Sequence, residues 1–216
     1  MQELLAPKAI QFYDAKWQYL GSKQSLAASI SEVTGIDPGV LSGKRYPRQY
    51  SIAQRMSWAA GRRTSRREDR AYSLLGLFVI NMPMLYGEGG KAFIRLQEEI
   101  IKESDDHSIF AWTGAAGSGA LAPSPDMFAA SHDVVSVRAR QGRSLYTINN
   151  RGVSMHVALA PYCCDTYLVI RNCARAGSID KLMGIFLRPM YEDDQWTRVD
   201  IDGEGLVDDA VGCMQN

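Results

Sequence analysis

Residues that commonly build metal centres and disulfide frameworks are scarce in this sequence. Its 216 residues include three histidines and four cysteines, at positions 163, 164, 173 and 213, and no two cysteines have C-x-x-C spacing. Neighbouring Cys163 and Cys164 would point to opposite faces of a strand, so a shared metal ion is disfavoured. The pattern favours structural thiols over a redox or zinc role, and it predicts neither a metal site nor a cofactor.

An excess of charge and a long apolar run are also missing. Lysine plus arginine equals aspartate plus glutamate at 24 each, which argues against a nucleic-acid or membrane partner. The longest apolar stretch, residues 74–85, is interrupted by Asn81 and Pro83 and is too short to cross a bilayer. The opening MQELLAPK lacks the features of a secretion signal, so a cytoplasmic location is expected.

Glycine is concentrated in the stretch MPMLYGEGGKAF, residues 82–93. A Walker-type phosphate loop needs Gly-Lys followed by Ser or Thr, with another glycine five positions before the first of that pair. Here an alanine follows Gly90-Lys91, and a leucine occupies the earlier position. The spacing of the three glycines does not match the dinucleotide fingerprint either. The stretch is therefore interpreted as a glycine-permissive turn that ends at a helix start.

The N-terminal segment predicts a short hairpin followed by a helix. The hairpin covers residues 10–20, where two runs of β-forming residues flank Asp14-Ala15. A helix capped by Ser22 or Ser25 should follow and end near Gly35. Its apolar face would comprise Leu26, Ile30 and Val33. Pro38 and Gly39 are expected to close this unit.

Two capping boxes mark the next helices. In this pattern a hydroxyl and a side chain three residues later satisfy each other's backbone amides, and it occurs at Ser51 and Ser65. The helix from Ser51 should end near Gly61. The helix from Ser65 should carry apolar residues as far as Phe78 into the core.

The clearest helical period covers residues 90–103. Phe93, Leu96 and Ile100 recur at spacings of three and four, as on the core-facing side of an amphipathic helix. On another side of this helix, Glu98 and Lys102 are spaced for a favourable i,i+4 ion pair. The stripe is therefore interpreted as core packing.

Beyond residue 112 the pattern changes from helix to strand. A hairpin is predicted from Leu145 to Leu159 around the turn at 149–152, with further strands at 167–171, 184–188 and 196–201. Residues 113–131, rich in Gly, Ala, Ser and Pro, are expected to be a connector. The sequence thus predicts an α+β protein with a mainly helical part at 1–112, a linker at 113–131 and an antiparallel β-rich region at 132–216.

The strongest local charge feature is a run of arginines at positions 62, 63, 66, 67 and 70. Guanidinium groups grip phosphates, so an anion or RNA site is one interpretation. Glu68 and Asp69 lie inside the run and no aromatic platform accompanies it, which favours a solvated helix start with internal ion pairs. The sequence Asp105-Asp106-His107 likewise favours a solvated helix end over a cation site.

Four long phrases carry the most specific signal: EDRAYSLLGLF, NMPMLYGEG, KAFIRLQEEIIK and SDDHSIFAW. Together they resemble the fungal heterokaryon incompatibility (HET) domain proteins, and NNRGVSMHVAL resembles the β-rich segment that follows in that family. The likeness covers nearly the whole chain. The residues that match the family's motifs are Glu68, Asp69, Arg70, Tyr72, Tyr86, Gly87, Glu88 and Gly89.

The resemblance implies a role in fungal non-self recognition, where such domains trigger growth arrest and regulated cell death. The family has been likened to Toll/interleukin-receptor domains, some of which cleave NAD with a glutamate in a W-x-x-x-E phrase. The family's W-T-L-Q-E has that spacing, and its glutamate corresponds to Glu3. This comparison makes NAD a candidate substrate and Glu3 a candidate catalytic carboxylate that stabilises an oxocarbenium-like transition state.

The resemblance also implies that the chain begins inside the domain, as its C-terminal half. Met1 corresponds to the leucine of a family phrase, R-G-W-T-L-Q-E-L-L-A-P, that follows a strand-helix core. A truncated member or a late gene start is therefore expected, with the tryptophan absent and Glu3 near a frayed end. The favoured hypothesis is a signalling or interaction module that binds other HET-type or cell-death signalling proteins, or itself. A NAD-cleaving death effector and an inactive relic are the alternatives.

Overall fold

A computed structural model describes residues 2–114, 119–137, 146–157, 159–190, 195–200 and 207. The α-helices within these ranges are α1 (Gln2–Leu5), α2 (Ala27–Thr34), α3 (Pro38–Leu41), α4 (Ile52–Ser57), α5 (Asp69–Tyr72), α6 (Leu75–Phe78) and α7 (Lys91–Glu103). Short 3-10 helices cover Pro47–Gln49, His107–Phe110 and Pro125–Ser131. The strands are β1 (Gln11–Tyr13), β2 (Tyr19–Ser22), β3 (Val134–Ser136), β4 (Tyr146–Asn149), β5 (Gly152–Met155), β6 (Leu159–Cys163), β7 (Thr166–Arg175), β8 (Ser178–Pro189) and β9 (Trp196–Val199).

The predicted α+β class is confirmed, because helices dominate the first part and antiparallel strands the later part. Several details of the prediction lie outside the described residues. They are the strand ends at Leu145 and Ile201, positions 115–118 of the expected connector, and Cys213.

The N-terminal hairpin is confirmed, with β1 and β2 paired antiparallel. Helix α2 ends as predicted, since Gly35 adopts a left-handed φ of 68°. The predicted cap was wrong: Ser22 and Ser25 bond each other's backbone amides, and α2 begins after Leu26 without a side-chain cap. The predicted apolar face was also wrong at Val33, which is 86% exposed.

Pro38 begins a helix instead of closing the preceding unit. The carboxylate of Asp37 accepts a hydrogen bond from the amide of Gly39 at 2.7 Å and caps α3. Proline suits the first helical position because its missing N–H would have no helical partner there. The prediction treated this proline as a breaker only.

The capping box at Ser51 is confirmed in both directions. The Ser51 hydroxyl accepts from the amide of Gln54 at 3.1 Å, and the Gln54 side chain accepts from the amide of Ser51 at 3.1 Å. The hydroxyl also donates to the carbonyl of Val134 at 2.6 Å. One serine therefore starts α4 and ties it to β3.

Helix α7 forms where it was predicted, and its core face is buried at Phe93, Leu96 and Ile100. The predicted Glu98–Lys102 pair was wrong, because Lys102 reaches Glu99 instead, at 2.7 Å. Both members of the observed pair are partly solvated, so the choice between neighbouring carboxylates carries little free energy.

The later strands form a five-stranded antiparallel sheet centred on β7. Strand β8 pairs with one edge of β7, while β6 and β3 share the other edge, and β9 lies beyond β8. Strands β4 and β5 form a separate hairpin in which Asn149 pairs with Gly152. The single strand predicted over Val153–Leu159 is therefore divided, since β5 ends at Met155 and β6 belongs to the larger sheet.

One apolar core joins the helices to the sheet. Its fully buried side chains include Met56, Leu74, Leu96, Ile109, Phe110, Trp112, Phe128 and Met183. The segment expected to be a connector contributes Ala122 and Phe128, both fully buried. Ala122 meets Gln97 of α7, and the 3-10 helix that carries Phe128 packs against α4, so this Gly- and Ser-rich segment forms part of the core.

Candidate functional site

The phrases EDRAYSLLGLF and NMPMLYGEG meet at the start of α5. The carboxylate of Glu68, which is 7% exposed, accepts hydrogen bonds from the amides of Gly87 at 2.8 Å and Gly89 at 2.9 Å. Both glycines have positive φ, 101° and 58°, a conformation that costs glycine little and lets both amides reach one oxygen. Its own amide and those of Gly89 and Gly87 lower the pKa of Glu68. We call residues 85–89 the glycine loop.

The capping box predicted at Ser65 was wrong for the same reason. It required the Glu68 side chain to bond backward to Ser65, but the glycine loop occupies that carboxylate. Helix α5 therefore begins only at Asp69 and has no side-chain cap. The predicted helix is divided into α5 and α6, and it stops at Val79, which adopts a left-handed φ of 60°.

Tyr72 holds the glycine loop from the next turn of α5. Its hydroxyl accepts from the amide of Leu85 at 2.7 Å and lies 2.9 Å from the Glu88 carboxylate, to which it can donate. Burial and this carboxylate raise the pKa of Tyr72. Arg95 of α7 donates to the same Glu88 oxygen at 2.5 Å. One polar network thus joins α5, the glycine loop and α7.

Opposing effects act on Glu88 within this network. Burial raises the pKa of Glu88, but the hydrogen bonds from Arg95 and Tyr72 outweigh burial and leave the pKa below its ordinary value. The hydrogen bond to Glu88 raises the pKa of Arg95. The pair is therefore charged, and its contacts favour the charged forms.

The Tyr86 side chain completes the contact between the two phrases. Its hydroxyl donates to Asp69 at 3.1 Å, and its ring packs edge-on against Tyr72 with centroids 5.6 Å apart. The guanidinium of Arg66 lies 4.9 Å from the centre of the Tyr86 ring. The bond to Asp69 raises the pKa of Tyr86.

These contacts bear on the phosphate-loop question raised by the glycines. A phosphate cradle needs free amides that converge on the ligand, whereas the amides of Gly87 and Gly89 already converge on Glu68. The glycine loop is thus held by a carboxylate of the chain itself. A functional role for Glu68, Asp69, Tyr72, Tyr86 and Glu88 stays a prediction.

Arg70 points away from the glycine loop. Its Nη2 donates to Asp126 at 2.6 Å, and the same carboxylate oxygen accepts from the amide of Gly61 at 2.8 Å. The bond from Arg70 is the main reason that the pKa of Asp126 is lowered. This contact anchors the segment between α4 and α5 to the 3-10 helix Pro125–Ser131.

A cleft of about 560 Å³ opens beside this segment, and we call it the arginine cleft. Its polar lining comprises Glu3, Arg62, Arg63, Thr64, Asp69, Arg70, Tyr72 and Ser73. The volume lies within the range of small-molecule sites, and a lining with three guanidiniums and two carboxylates suits a polar ligand that carries anionic groups. The sequence did not predict that Glu3 and the arginine run would share one cleft.

Glu3 is exposed on α1, a helix of four residues. Its own backbone amide is the main cause that lowers the pKa of Glu3, and the charge of Arg62 acts in the same direction. Burial lowers the pKa of Arg62, and the negative charge of Glu3 acts in the opposite direction. The expected frayed end is not what the structure has, because buried Lys23 donates to the carbonyls of Leu4 and Pro7 and anchors α1.

Within the part of the chain that the structure describes, no ion pair joins the arginines of this run to Glu68 or Asp69, so the predicted internal pairs were wrong. Arg70 pairs with Asp126 rather than Asp69, and Arg62 donates its Nε to the carbonyl of Trp58 at 2.9 Å. Glu68 is occupied by the glycine loop. Arg62 and Arg70 thus bind groups that the fold brings close to them, and not the carboxylates that are near in sequence.

The sequence Asp105-Asp106-His107 serves the fold. The two oxygens of Asp106 accept from the amides of Ile52 and Ser108, each at 2.9 Å. His107 is 3% exposed and packs against Tyr146 with ring centroids 5.5 Å apart, so the predicted solvated end was wrong. Within the described residues no three His, Cys, Asp or Glu side chains are grouped to hold a metal, and none of the described helices has the length and apolar character needed to cross a bilayer.

We expect Tyr72→Phe to lower the free energy of unfolding by about 1–3 kcal/mol, since it leaves the amide of Leu85 and the Glu88 carboxylate without this partner. Urea denaturation followed by circular dichroism measures the change. Tyr86→Phe is the matched control, because its hydroxyl bond is exposed, and it should shift the midpoint much less. Equal midpoints for the two variants would contradict the role assigned to Tyr72.

Two sequence comparisons find related proteins for parts of this chain. A family model described as a domain of unknown function, DUF8212, matches residues 91–149. Vegetative incompatibility protein HET-E-1 of Podospora anserina is 41% identical over 104 residues, which are 48% of this chain but only 8% of that protein. No solved structure matches the chain. Over about half of its length the chain is therefore similar to a fungal vegetative incompatibility protein, in agreement with the family resemblance of its phrases.

Proposed function

We propose that this chain acts in fungal vegetative incompatibility, in non-self recognition that leads to regulated cell death, as a signalling or interaction module. The observation that carries the proposal is the 41% identity to a vegetative incompatibility protein over 104 residues. Because the match spans 8% of that relative, the activity of the whole relative supports only a role in the same process. The partners proposed are other HET-type or cell-death signalling proteins.

The glycine loop and the residue before it, Met84, support the interaction role. Met84, Leu85 and Tyr86 are 60%, 53% and 55% exposed, although the backbone beside them is bonded to Glu68 and Tyr72. Exposed apolar side chains on a loop held in one conformation are typical of recognition surfaces, since little entropy is lost when a partner binds. The contacts from α5 and α7 would fix the shape that a partner meets.

Inducible expression in a filamentous ascomycete tests this proposal. Growth arrest and uptake of a membrane-impermeant dye are expected after induction of the unaltered chain. Glu68→Gln and the pair Met84→Ser with Leu85→Ser should reduce both responses, whereas Trp17→Ser, which changes an exposed aromatic side chain on the β1–β2 hairpin, should not. Growth equal to that of an empty vector at matched protein level would favour the inactive relic.

A second candidate function is NAD cleavage, and the position of Glu3 favours it. Glu3 lines the arginine cleft, where guanidiniums suit a pyrophosphate and the carboxylate suits an oxocarbenium-like sugar. In such a reaction the bond between ribose and nicotinamide breaks, nicotinamide leaves with the bonding electrons, and water adds to the sugar. The family resemblance pointed to Glu3 alone, and the arginines that share its cleft are the added support for this candidate.

We expect no NAD turnover by this chain alone, because Glu3 is exposed on a four-residue helix and catalysis needs a tightly positioned carboxylate. Release of nicotinamide by the purified chain, followed by liquid chromatography, is the measurement. Turnover that disappears in Glu3→Gln but persists in Glu103→Gln, a change at another exposed glutamate, would overturn this expectation and establish the second candidate.

A further inference from the structure

The segment between α4 and α5 carries the sequence RRTS at residues 62–65. Arg63, Thr64 and Ser65 are exposed, and the segment has neither helical nor strand pairing. The Thr64 hydroxyl is engaged with the carbonyl of Arg66, whereas the Ser65 hydroxyl has no hydrogen bond within the described part of the chain. Ser65 is therefore an accessible hydroxyl that directly follows a basic, irregular segment.

Arginine three residues before a serine is a common pattern in this sequence, and the structure separates the instances. It occurs at Ser51, Ser65, Ser73, Ser154 and Ser178. Ser51 is buried and caps α4, and the Ser73 hydroxyl is bonded to the Arg70 carbonyl. Ser154 and Ser178 lie in paired strands. Ser154 is exposed as well but lies in β5, so Ser65 alone among these five is exposed, outside regular structure and preceded by two arginines at positions 62 and 63.

These features match what a basophilic protein kinase requires. Such an enzyme binds its substrate as an extended segment and recognises guanidiniums N-terminal to the hydroxyl through its own carboxylates. Arg63 is exposed and free to serve as that determinant. Arg62 is half-buried with its Nε on the Trp58 carbonyl, so it should contribute less than Arg63.

We propose that Ser65 is a phosphorylation site for a basophilic, arginine-directed protein kinase. In the reaction the Ser65 oxygen forms a bond to the γ-phosphorus of Mg·ATP while the bond from that phosphorus to the β,γ-bridging oxygen breaks. The hydroxyl proton passes to the catalytic aspartate of the kinase, and ADP leaves. The proposal does not depend on the incompatibility role proposed above.

The phosphate would enter the most basic part of the chain. Residues 62–70 hold five arginines and two carboxylates, and a phosphoserine adds about −1.5 to −2 charges at neutral pH. Arg62 and Arg63, which precede Ser65, line the arginine cleft. Phosphorylation therefore lowers the net positive charge beside the cleft. The attached phosphate would also compete with an anionic ligand for the guanidiniums of Arg62 and Arg63.

The test incubates the folded full chain with Mg·ATP and the catalytic subunit of cyclic-AMP-dependent protein kinase. Intact mass and tandem mass spectrometry should show one phosphate per chain, at Ser65. Ser65→Ala should abolish its incorporation, and Arg63→Ala should slow it by about tenfold or more, the loss of one charge-assisted contact. Arg48→Ala, which removes the arginine before buried Ser51, should leave the rate unchanged.

The same experiment can overturn the proposal. Phosphate at another serine with Ser65 unmodified would show that the structural selection fails. Incorporation only after the chain is unfolded in urea and diluted would show that residues 62–65 do not fit the kinase in the native fold. Equal rates for Arg63→Ala and the unaltered chain would remove the recognition argument, even with phosphate at Ser65.

Discussion

Replacing Arg198 by leucine is expected to lower the free energy of unfolding by about 3–5 kcal/mol. Arg198 lies on β9, is 3% exposed, and donates to the carbonyls of Phe110 at 2.9 Å and Trp112 at 2.5 Å. Its guanidinium also stacks 3.7 Å from the centre of the Trp112 ring. Leucine would leave the two carbonyls without their charged donor at the junction of sheet and helices.

Chemical denaturation of Arg198→Leu beside Arg188→Leu measures the effect. Arg188 is an exposed residue of β8 that reaches the Thr166 hydroxyl at 3.3 Å, so its loss should be nearly neutral. Arg198→Lys should fall between the two, because an ammonium keeps the charge but lacks the planar fork. If Arg198→Leu and Arg188→Leu unfold at the same denaturant concentration, the sheet is not held to the helices through the side chain of Arg198.

Gln97→Leu is expected to cost about 2–4 kcal/mol for a similar reason. Gln97 of α7 is fully buried. Its side chain donates to the carbonyl of Ala122 at 2.8 Å and accepts from the amide of Ala122 at 3.0 Å. Leucine fills much of the space but satisfies neither backbone group, so two polar groups would remain buried without a partner.

Thermal unfolding by circular dichroism, with urea denaturation for the free energy, tests this expectation. Gln24→Leu makes the same chemical change at an exposed position and should leave the unfolding curve in place. Gln97→Glu keeps an acceptor but loses the donor, so it should destabilise as well. A Gln97→Leu protein as stable as Gln24→Leu would show that residues 119–124 do not depend on α7.

Elements set by neighbouring residues were predictable from the sequence. Helix α7 follows from a sustained apolar period over 13 residues, and the cap of α4 follows from Ser51 and Gln54 alone. The β4–β5 hairpin follows from its turn composition. In each case the long-range contacts of the fold agree with the local preference.

The predictions failed where a polar side chain forms a hydrogen bond to a group that is distant in sequence. Glu68 looks like the second half of a capping box, but the amides of Gly87 and Gly89 bind it. Internal ion pairs were expected within the arginine run, but the hydroxyl of Tyr86 binds Asp69, and Asp126 binds Arg70. A hydrogen bond between residues about twenty positions apart leaves no periodic trace in a sequence, although the glycines did mark the loop.

The candidate site was predictable only in part. The residues that build it stand in phrases that the sequence singled out, yet nothing local placed Glu3 beside Arg62 and Arg70. That meeting depends on α1 being anchored by Lys23, a buried cation satisfied by two carbonyls. The buried roles of Gln97 and Arg198 were missed because both residue types are usually exposed.

The bonds between Glu68, Tyr72 and the glycine loop have a consequence for how the molecule opens. The amides of Leu85, Gly87 and Gly89 lie outside helices and strands, where protons normally exchange with solvent rapidly. Here the three amides donate hydrogen bonds to the Tyr72 hydroxyl and the Glu68 carboxylate. Glu88 of the same loop is bonded to Arg95 of α7. These three amides should therefore exchange slowly and together with those of α7, as one cooperative unfolding unit, and Tyr72→Phe should uncouple the loop while α7 stays protected.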